Sequence, residues 1–503
     1  MSSTSAPAKP PSAGKPIPQP SLSLLRRFTV LFDAPRELWL LFAIKLVAVA
    51  AYGITNSTIK LWLSSDFGYS DQKALAIVAG WSLAMTAATV FVGSLADAVG
   101  LRRTFFLGIW FCIGARAVMA FTNLKAMALL GGLVPLAVGE ALGTPVMVAA
   151  VRRYSNTRQR SISFSMFYVM MNLGFLVSSL LFDSVRQSLG EHGLFTVPII
   201  GVQISTYRTL LLVGLGMEVS LIPLIYLLRN GAEATDEGLV LHPEKVKQAG
   251  LGIWASIAQT IRQTGRDTAN VFASLIKQDG FYRLIAFLML IAFLKLIVMQ
   301  MYYVFPTFGI RELGEGAPVG KLWAVNSILI IFMVPVVGLL TQRFRAYNMV
   351  IVGGIISAVS VFIMALPTSL FQNLANGLTG DWVAHKYLGL HGAVSPYYVM
   401  IVFFVILLSI GEAFYSPRVY EYAASIAPRG QETSYSALSY VPFLLAKLLI
   451  GTLSAKLLTV YCPETGPRHS STMWLVVAMT ASIAPIGLIL LRKFIRVPEA
   501  GRD

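Results

Sequence analysis

Charge is scarce in this 503-residue chain: Asp, Glu, Lys and Arg together make up 13% of it, against 56% hydrophobic residues. Soluble domains carry about 25% charged residues, so that class is excluded. Cysteine is nearly absent. Cys112 lies inside an apolar run and Cys462 in a loop, which excludes a disulfide framework. The five histidines, His192, His242, His385, His391 and His469, all fall between apolar runs. That excludes a membrane-embedded histidine relay and a histidine-built metal site. No nucleophile elbow, phosphate loop or metal-ligand cluster stands in a credible context, so neither enzyme chemistry nor a cofactor is expected. Acidic residues are also short, 24 against 40 Lys and Arg, for a formal net charge of +16. Membrane topology accounts for that excess, and no nucleic-acid partner is needed.

What the chain has in quantity is long apolar runs. Each is ~20 residues, enough to cross ~30 Å of hydrocarbon as a helix, and unlike the ~10-residue alternation of an outer-membrane barrel. Spans are expected at 37–63, 73–97, 103–122, 126–151, 161–185, 206–228, 283–310, 321–341, 347–367, 396–424, 433–459 and 472–491. The fold class is thus an all-α membrane protein with twelve transmembrane helices, its partner the lipid bilayer. Residues 1–35 read as a disordered cytoplasmic tail, 36–228 as one six-helix bundle, and 283–492 as a second. Residues 229–282 form a polar cytoplasmic linker, in which Leu251, Trp254, Ile257, Ala258 and Ile261 recur at the spacing of an amphipathic helix. Residues 493–503 form a second cytoplasmic tail. Most Lys and Arg, including Arg152, Arg153, Arg158 and Arg160 in one short loop, fall on the side of the N-terminus, which places both termini in the cytoplasm.

The halves are related. Gly139-Glu140-Ala141-Leu142-Gly143-Thr144-Pro145 and Gly411-Glu412-Ala413-Phe414-Tyr415-Ser416-Pro417 share the spelling Gly-Glu-Ala-x-x-(Ser/Thr)-Pro, each within an apolar run. Phe42-Ala43-Ile44-Lys45-Leu46-Val47 is echoed by Ala292-Phe293-Leu294-Lys295-Leu296-Ile297, and Val92-Gly93-Ser94-Leu95 by Val337-Gly338-Leu339-Leu340. The echoes keep the order of the spans and imply two pseudo-symmetric six-helix bundles.

Seven ionisable residues sit deep in the expected spans: Lys45, Arg116, Glu140, Glu218, Lys295, Glu412 and Lys447. At a rise of ~1.5 Å per residue they lie roughly 13–21 Å from the cytoplasmic helix ends, in one layer near the midplane. An embedded charge costs ~2.5–3.5 kcal/mol on insertion scales, so each needs a partner or a use. A structural pairing is the preferred reading for Arg116 and Glu218. Glu140 has two readings, a pair with Arg116 or a place in a ligand cavity. Lys45, Glu140, Lys295, Glu412 and Lys447 are the candidate substrate or proton ligands. Pro145 and Pro417 cannot donate a backbone hydrogen bond, so each should loosen its helix beside a glutamate, with Thr144 and Ser416 offering hydroxyls in compensation.

Gly93-Ser94-Leu95-Ala96-Asp97-Ala98-Val99-Gly100-Leu101-Arg102-Arg103, between the second and third spans, resembles the signature loop of the major facilitator superfamily. The resemblance implies a monomeric transporter whose two bundles rock about a central cavity lined by spans 1, 4, 7 and 10. It also implies that Asp97, Arg102 and Arg103 form a charged cytoplasmic gate; Ala98 stands where the family often has a basic residue. A finer resemblance is to the proton-dependent oligopeptide transporter branch. Gly411-Glu412, Ser416-Pro417 and Ala427-Pro428 look like its tenth helix, and Phe167-Tyr168-Val169-Met170-Met171-Asn172-Leu173-Gly174 like its fifth. By that likeness Glu412 would receive a substrate amino group. The branch's acidic and arginine-bearing pattern in helix 1 falls on Ile44 to Tyr52, where only Tyr52 matches, and its helix-4 lysine is Thr144 here.

With four cations in the layer against three carboxylates, the expected cargo is a small carboxylate-bearing or zwitterionic solute, amino-acid- or peptide-like. Proton symport and facilitated diffusion both remain open. A receptor or scaffold that keeps a transporter fold is the reading from another class.

Overall fold

The computed structural model describes residues 31–99, 101–156, 159–198, 200–241, 262, 276–341, 344–426 and 441–496. The linker stretch 251–261, Gln342, Arg343 and Ala427-Pro428 lie outside them. The described chain is mostly helix. The first six long helices are α1 (Arg36–Phe67), α2 (Asp71–Val99), α3 (Leu101–Phe121), α4 (Met127–Arg153, opening with a π-helical turn through Leu133), α5 (Arg160–Leu189) and α6 (Thr206–Tyr226). Then follow α7 (Asp279–Tyr303), α8 (Phe305–Leu313), α9 (Val319–Leu340), α10 (Ala346–Ile363), α11 (Pro396–Ile426), α12 (Val441–Leu449), α13 (Ala455–Tyr461) and α14 (Ser470–Leu490). Among the described residues ten helices are long and apolar enough to cross a membrane.

Several features depart from the expected pattern. The run expected at 283–310 breaks at Val304, and Pro306 starts the short α8, because proline suits a helix's first turn and not its interior. A π-helical turn, Ile450–Ser454, joins α12 to α13. Two small antiparallel hairpins appear: β1 (Leu194–Thr196) with β2 (Gln203–Ser205), and β3 (Ala232–Thr235) with β4 (Gly238–Leu241), the latter at the start of the expected linker. Short helical turns between Thr368 and Tyr387 fill the connection from α10 to α11.

Local chemistry sets the helix ends. Gly68 takes φ +66°, a conformation open to glycine, and there the Gly68 and Tyr69 N–H groups close α1 on Ser64 and Leu63 carbonyls. Ser205 caps α6, its hydroxyl accepting from the Arg208 N–H at 3.2 Å.

Packing follows small residues. A Cβ on Gly139 would lie 2.6 Å from Cys112 Sγ and 2.8 Å from the Gly108 carbonyl, and one on Gly411 would lie 2.2 Å from Ser357 Oγ and 2.7 Å from the Gly353 carbonyl. The first glycine of each Gly-Glu-Ala phrase is therefore a point of close helix contact, α3 with α4 and α10 with α11. That contact fixes the next residue, a glutamate, in each half.

Contacts between the first six helices and the rest run along α5 with α9, α2 with α12 and α13, and α1 with α7. A buried apolar core joins both sets near the end that carries the α1–α2, α5–α6 and α7–α9 connections, through Trp62, Tyr207, Phe308 and Trp474. We call this the distal end.

Candidate functional site

The embedded charges separate into two unlike groups. In the first, Arg116 of α3 forks between two carboxylates: Nη2 donates to Glu140 Oε1 at 2.7 Å and Nη1 to Glu218 Oε1 at 3.0 Å. Its Nε donates to Thr55 Oγ1 at 3.3 Å, so one fully buried guanidinium ties α1, α3, α4 and α6. Lys45 lies nearby on α1, its Nζ 4.6 Å over the Phe167 ring and within electrostatic reach of Glu140. Lys45, Tyr52, Glu140 and Glu218 line a cavity of about 210 Å³. Cys112, Glu140 and Glu218 lie within 4.8 Å of one another, but the Arg116 guanidinium occupies the carboxylates that a cation would need.

In the second group, Lys295 of α7 donates to Ser416 Oγ at 3.2 Å and lies 5.0 Å over the Tyr415 ring. Glu412 accepts from Asn326 Nδ2 at 3.1 Å, and the same amide donates to Ser409 Oγ at 3.0 Å. Among the described residues Glu412 forms no salt bridge, although Lys295 and Tyr302 are within its electrostatic reach. Lys447 of α12 reaches across to α2, donating to Thr86 Oγ1 at 3.1 Å and to the Ser82 carbonyl at 3.5 Å.

Pro145 and Pro417 stand inside α4 and α11, and the helices continue through them. The Thr144 side chain is outside the described set, whereas Ser416 receives the Lys295 ammonium. Of the expected gate, Asp97 lies in the last turn of α2 with its side chain outside that set, and Arg103 is exposed. Arg102 donates to the Tyr226 carbonyl at 2.8 Å and to Asn230 Oδ1 at 3.4 Å, so its charge meets the C-terminal end of α6.

A distal clasp, which the motifs did not single out, joins the two sets of helices. Asp183 of α5 accepts the backbone N–H groups of Gly320 (2.9 Å) and Lys321 (2.6 Å) at the start of α9. Arg186, fully buried, pairs with Asp183 and Glu191 and donates to the Ala317 carbonyl; Glu191 accepts the Tyr207 hydroxyl at 2.6 Å and the Gly316 N–H at 3.3 Å. Asp71 bridges Lys60 of α1 at 2.6 Å and Arg311 of α8 at 2.8 Å. Deeper in, the Tyr303 hydroxyl donates to Asn56 Oδ1 at 2.8 Å and lies 3.3 Å from Ser82 Oγ. The visible sequence signal was the Asp183-x-x-Arg186 spacing; its partners are backbone groups that no motif marks.

Solved structures share this fold. One is the crystal structure of a POT family transporter in complex with 5-aminolevulinic acid, with TM-score 0.66 and 14% identity over 92% of this chain and 97% of that one. The nucleoside transporter NupG aligns at TM-score 0.62 and 12% identity, over 91% and 100%. Among curated proteins, dipeptide and tripeptide permease A of Proteus mirabilis (strain HI4320) is 25% identical over 186 residues, 36% of this chain and 38% of the permease. The permease of the same name from Klebsiella pneumoniae (strain 342) is 23% identical over 177 residues, 35% of each chain. The chain thus matches little more than a third of these relatives' length. All of these proteins are transporters and none is an enzyme. The Major Facilitator Superfamily pattern matches residues 41–385, so the chain, an integral multi-pass membrane protein, belongs to that superfamily.

Proposed function

We propose that this protein is a secondary transporter for a small carboxylate-bearing or zwitterionic solute, amino-acid- or peptide-like, moved by alternating access. In this reading α2 and the α12–α13 pair span the membrane with the ten apolar helices, α7 and α8 counting as one span. The result is twelve spans in two six-helix bundles, 36–228 and 283–492, joined by the cytoplasmic linker 229–282. Both termini are cytoplasmic, and the distal end faces outward. The clasp at that end supports a state closed to the outside and open to the cytoplasm. Turnover then requires Asp183 to release the start of α9 and Asp71 to release Arg311.

The observation that carries the reading is the contrast between the glutamates. Glu140 and Glu218 share Arg116, whereas Glu412 is held by the neutral amide of Asn326. A carboxylate in the membrane without a salt-bridged cation is costly, so Glu412 is poised to take a positive group from the ligand, an amino group or a proton. Lys45, Lys295 and Lys447 supply the complementary charge for a carboxylate. Asp97, Arg102 and Arg103 close the opposite, cytoplasmic, side. Pro145 and Pro417 let α4 and α11 flex beside the glutamates. The relatives named as dipeptide and tripeptide permeases support the peptide-like size class.

Facilitated diffusion is the second reading, favoured by the absence of any acidic residue between Ile44 and Tyr52. One experiment separates the two. A thermal-shift screen of purified protein with dipeptides and zwitterionic metabolites is followed by uptake of the hits into proteoliposomes, with and without a pH gradient. Accumulation driven by the gradient supports symport, and equal uptake without it supports diffusion. Stabilisation without flux would leave a receptor and overturn the transport reading.

A further inference from the structure

Glu218 belongs to no expected ligand set, yet it lines the cavity of the first six helices and shares Arg116 with Glu140. The charged and titratable groups around that cavity come from α1, α3, α4 and α6, while α2 adds only Met85 and Thr89. Those groups are Lys45 and, as a neutral phenol, Tyr52 from α1; Arg116 and the thiol Cys112 from α3; Glu140 from α4; and Glu218 itself from α6. From α5 the wall is apolar, with Met171 and Phe175.

Two cations therefore face two carboxylates, and the cluster is neutral only while Lys45 counts toward it. When an anionic group draws Lys45 away, one negative charge is left in a medium that penalises it, with Arg116 alone to serve two carboxylates. Glu140 keeps the shorter contact with Arg116, 2.7 Å against 3.0 Å for Glu218. Each carboxylate meets the guanidinium through one oxygen, Oε1, which leaves the second Glu218 oxygen open to a proton.

We propose that Glu218 is a proton-binding site, loaded when Lys45 engages an anion and unloaded when Lys45 returns. The step balances: one proton from water joins a Glu218 oxygen, the carboxylate becomes a carboxylic acid, and the lysine charge is transferred to pairing with the ligand. Arg116 and Glu140 relay the charge change between α1 and α6 without leaving their positions. The inference rests on the proposed carriage of a carboxylate-bearing solute, but its test needs no solute.

The test is infrared spectroscopy of the full-length protein in nanodiscs, following the carboxylic-acid C=O absorption through a pH titration of wild type and Lys45→Gln. Loss of the lysine charge mimics its engagement by an anion. It should raise the proton affinity of one buried carboxylate at least about tenfold, a shift of about one pH unit. Aspartate replacements keep the charge count, so the frequency of that absorption should move in Lys45→Gln/Glu218→Asp and stay in place in Lys45→Gln/Glu140→Asp and Lys45→Gln/Glu412→Asp. An unchanged titration in Lys45→Gln overturns the proposal, as does an absorption that moves only with Glu140→Asp. Should the Glu218 double variant fail to fold, the comparison of Lys45→Gln with Lys45→Gln/Glu140→Asp decides between the same two carboxylates. Failure of dipeptide uptake would count against the transport reading and leave this result standing.

Discussion

Gly411 approaches Gly353 so closely that a Cβ on Gly411 would lie 2.7 Å from the Gly353 carbonyl oxygen. Gly139 stands in the same relation to Gly108, at 2.8 Å. Each contact sets the depth and facing of the glutamate that follows. Gly411→Ala and Gly139→Ala should each destabilise the protein by about 1–3 kcal/mol, the usual cost of overpacking. Gly80→Ala, with nothing within 4 Å of the new methyl, should be neutral or slightly stabilising. Thermal unfolding in one detergent compares the three.

Arg116 is the cation on which both carboxylates of the first group depend. Arg116→Gln should cost about 3–5 kcal/mol because it leaves buried charges uncompensated. The loss should shrink as pH falls, since protonating Glu140 and Glu218 removes the unpaired charge. Arg116→Lys should recover only part of the stability, because an ammonium cannot reproduce the planar fork. Unfolding curves of the three proteins across pH check this.

Asp183 satisfies two N–H groups at the first turn of α9. Asp183→Ala leaves them without that acceptor, at about 1–3 kcal/mol, and should shift the protein toward the outward-open state. Spin labels at Ser188→Cys and Lys386→Cys, both exposed positions, should report a longer and broader distance distribution. Cys112 and Cys462 are buried.

Glu191 gives the clasp a defined pH dependence. Burial pushes its carboxyl up, but the hydrogen bond and charge of Arg186, with the Tyr207 hydroxyl and the Gly316 N–H, outweigh it and hold it below the ordinary 4.5. A lowered folded-state value means the contribution is complete above about 4.5 and disappears as pH falls through that lower value. Wild type and Glu191→Gln should therefore differ most in thermal stability near neutral pH and converge in acid.

The helices were legible in the sequence because span length and apolarity are local properties, whereas the Gly-Glu-Ala repeat spoke for related halves and its role in helix contact emerged only from the packing. The identity of the embedded charges was legible too, since few residues in such runs are ionisable. The partners were less so. Arg116 lies at a depth that suits Glu140, but its second arm to Glu218 depends on how α6 packs against α3. Asp183 binds backbone N–H groups, which every residue but proline carries, so spelling cannot reveal the contact. The break at Val304 follows from Pro306, a signal hidden by apolar residues on both sides.

Glu412 is the centre of the account, and its neutral replacement is the most direct test. Uptake of a dipeptide hit into proteoliposomes under an inward pH gradient should fall in Glu412→Gln by at least ~10-fold in kcat/KM, about 1.4 kcal/mol. Asn326→Ala should lie between that variant and wild type. Gradient-driven accumulation in Glu412→Gln equal to wild type would contradict the role assigned to this carboxylate.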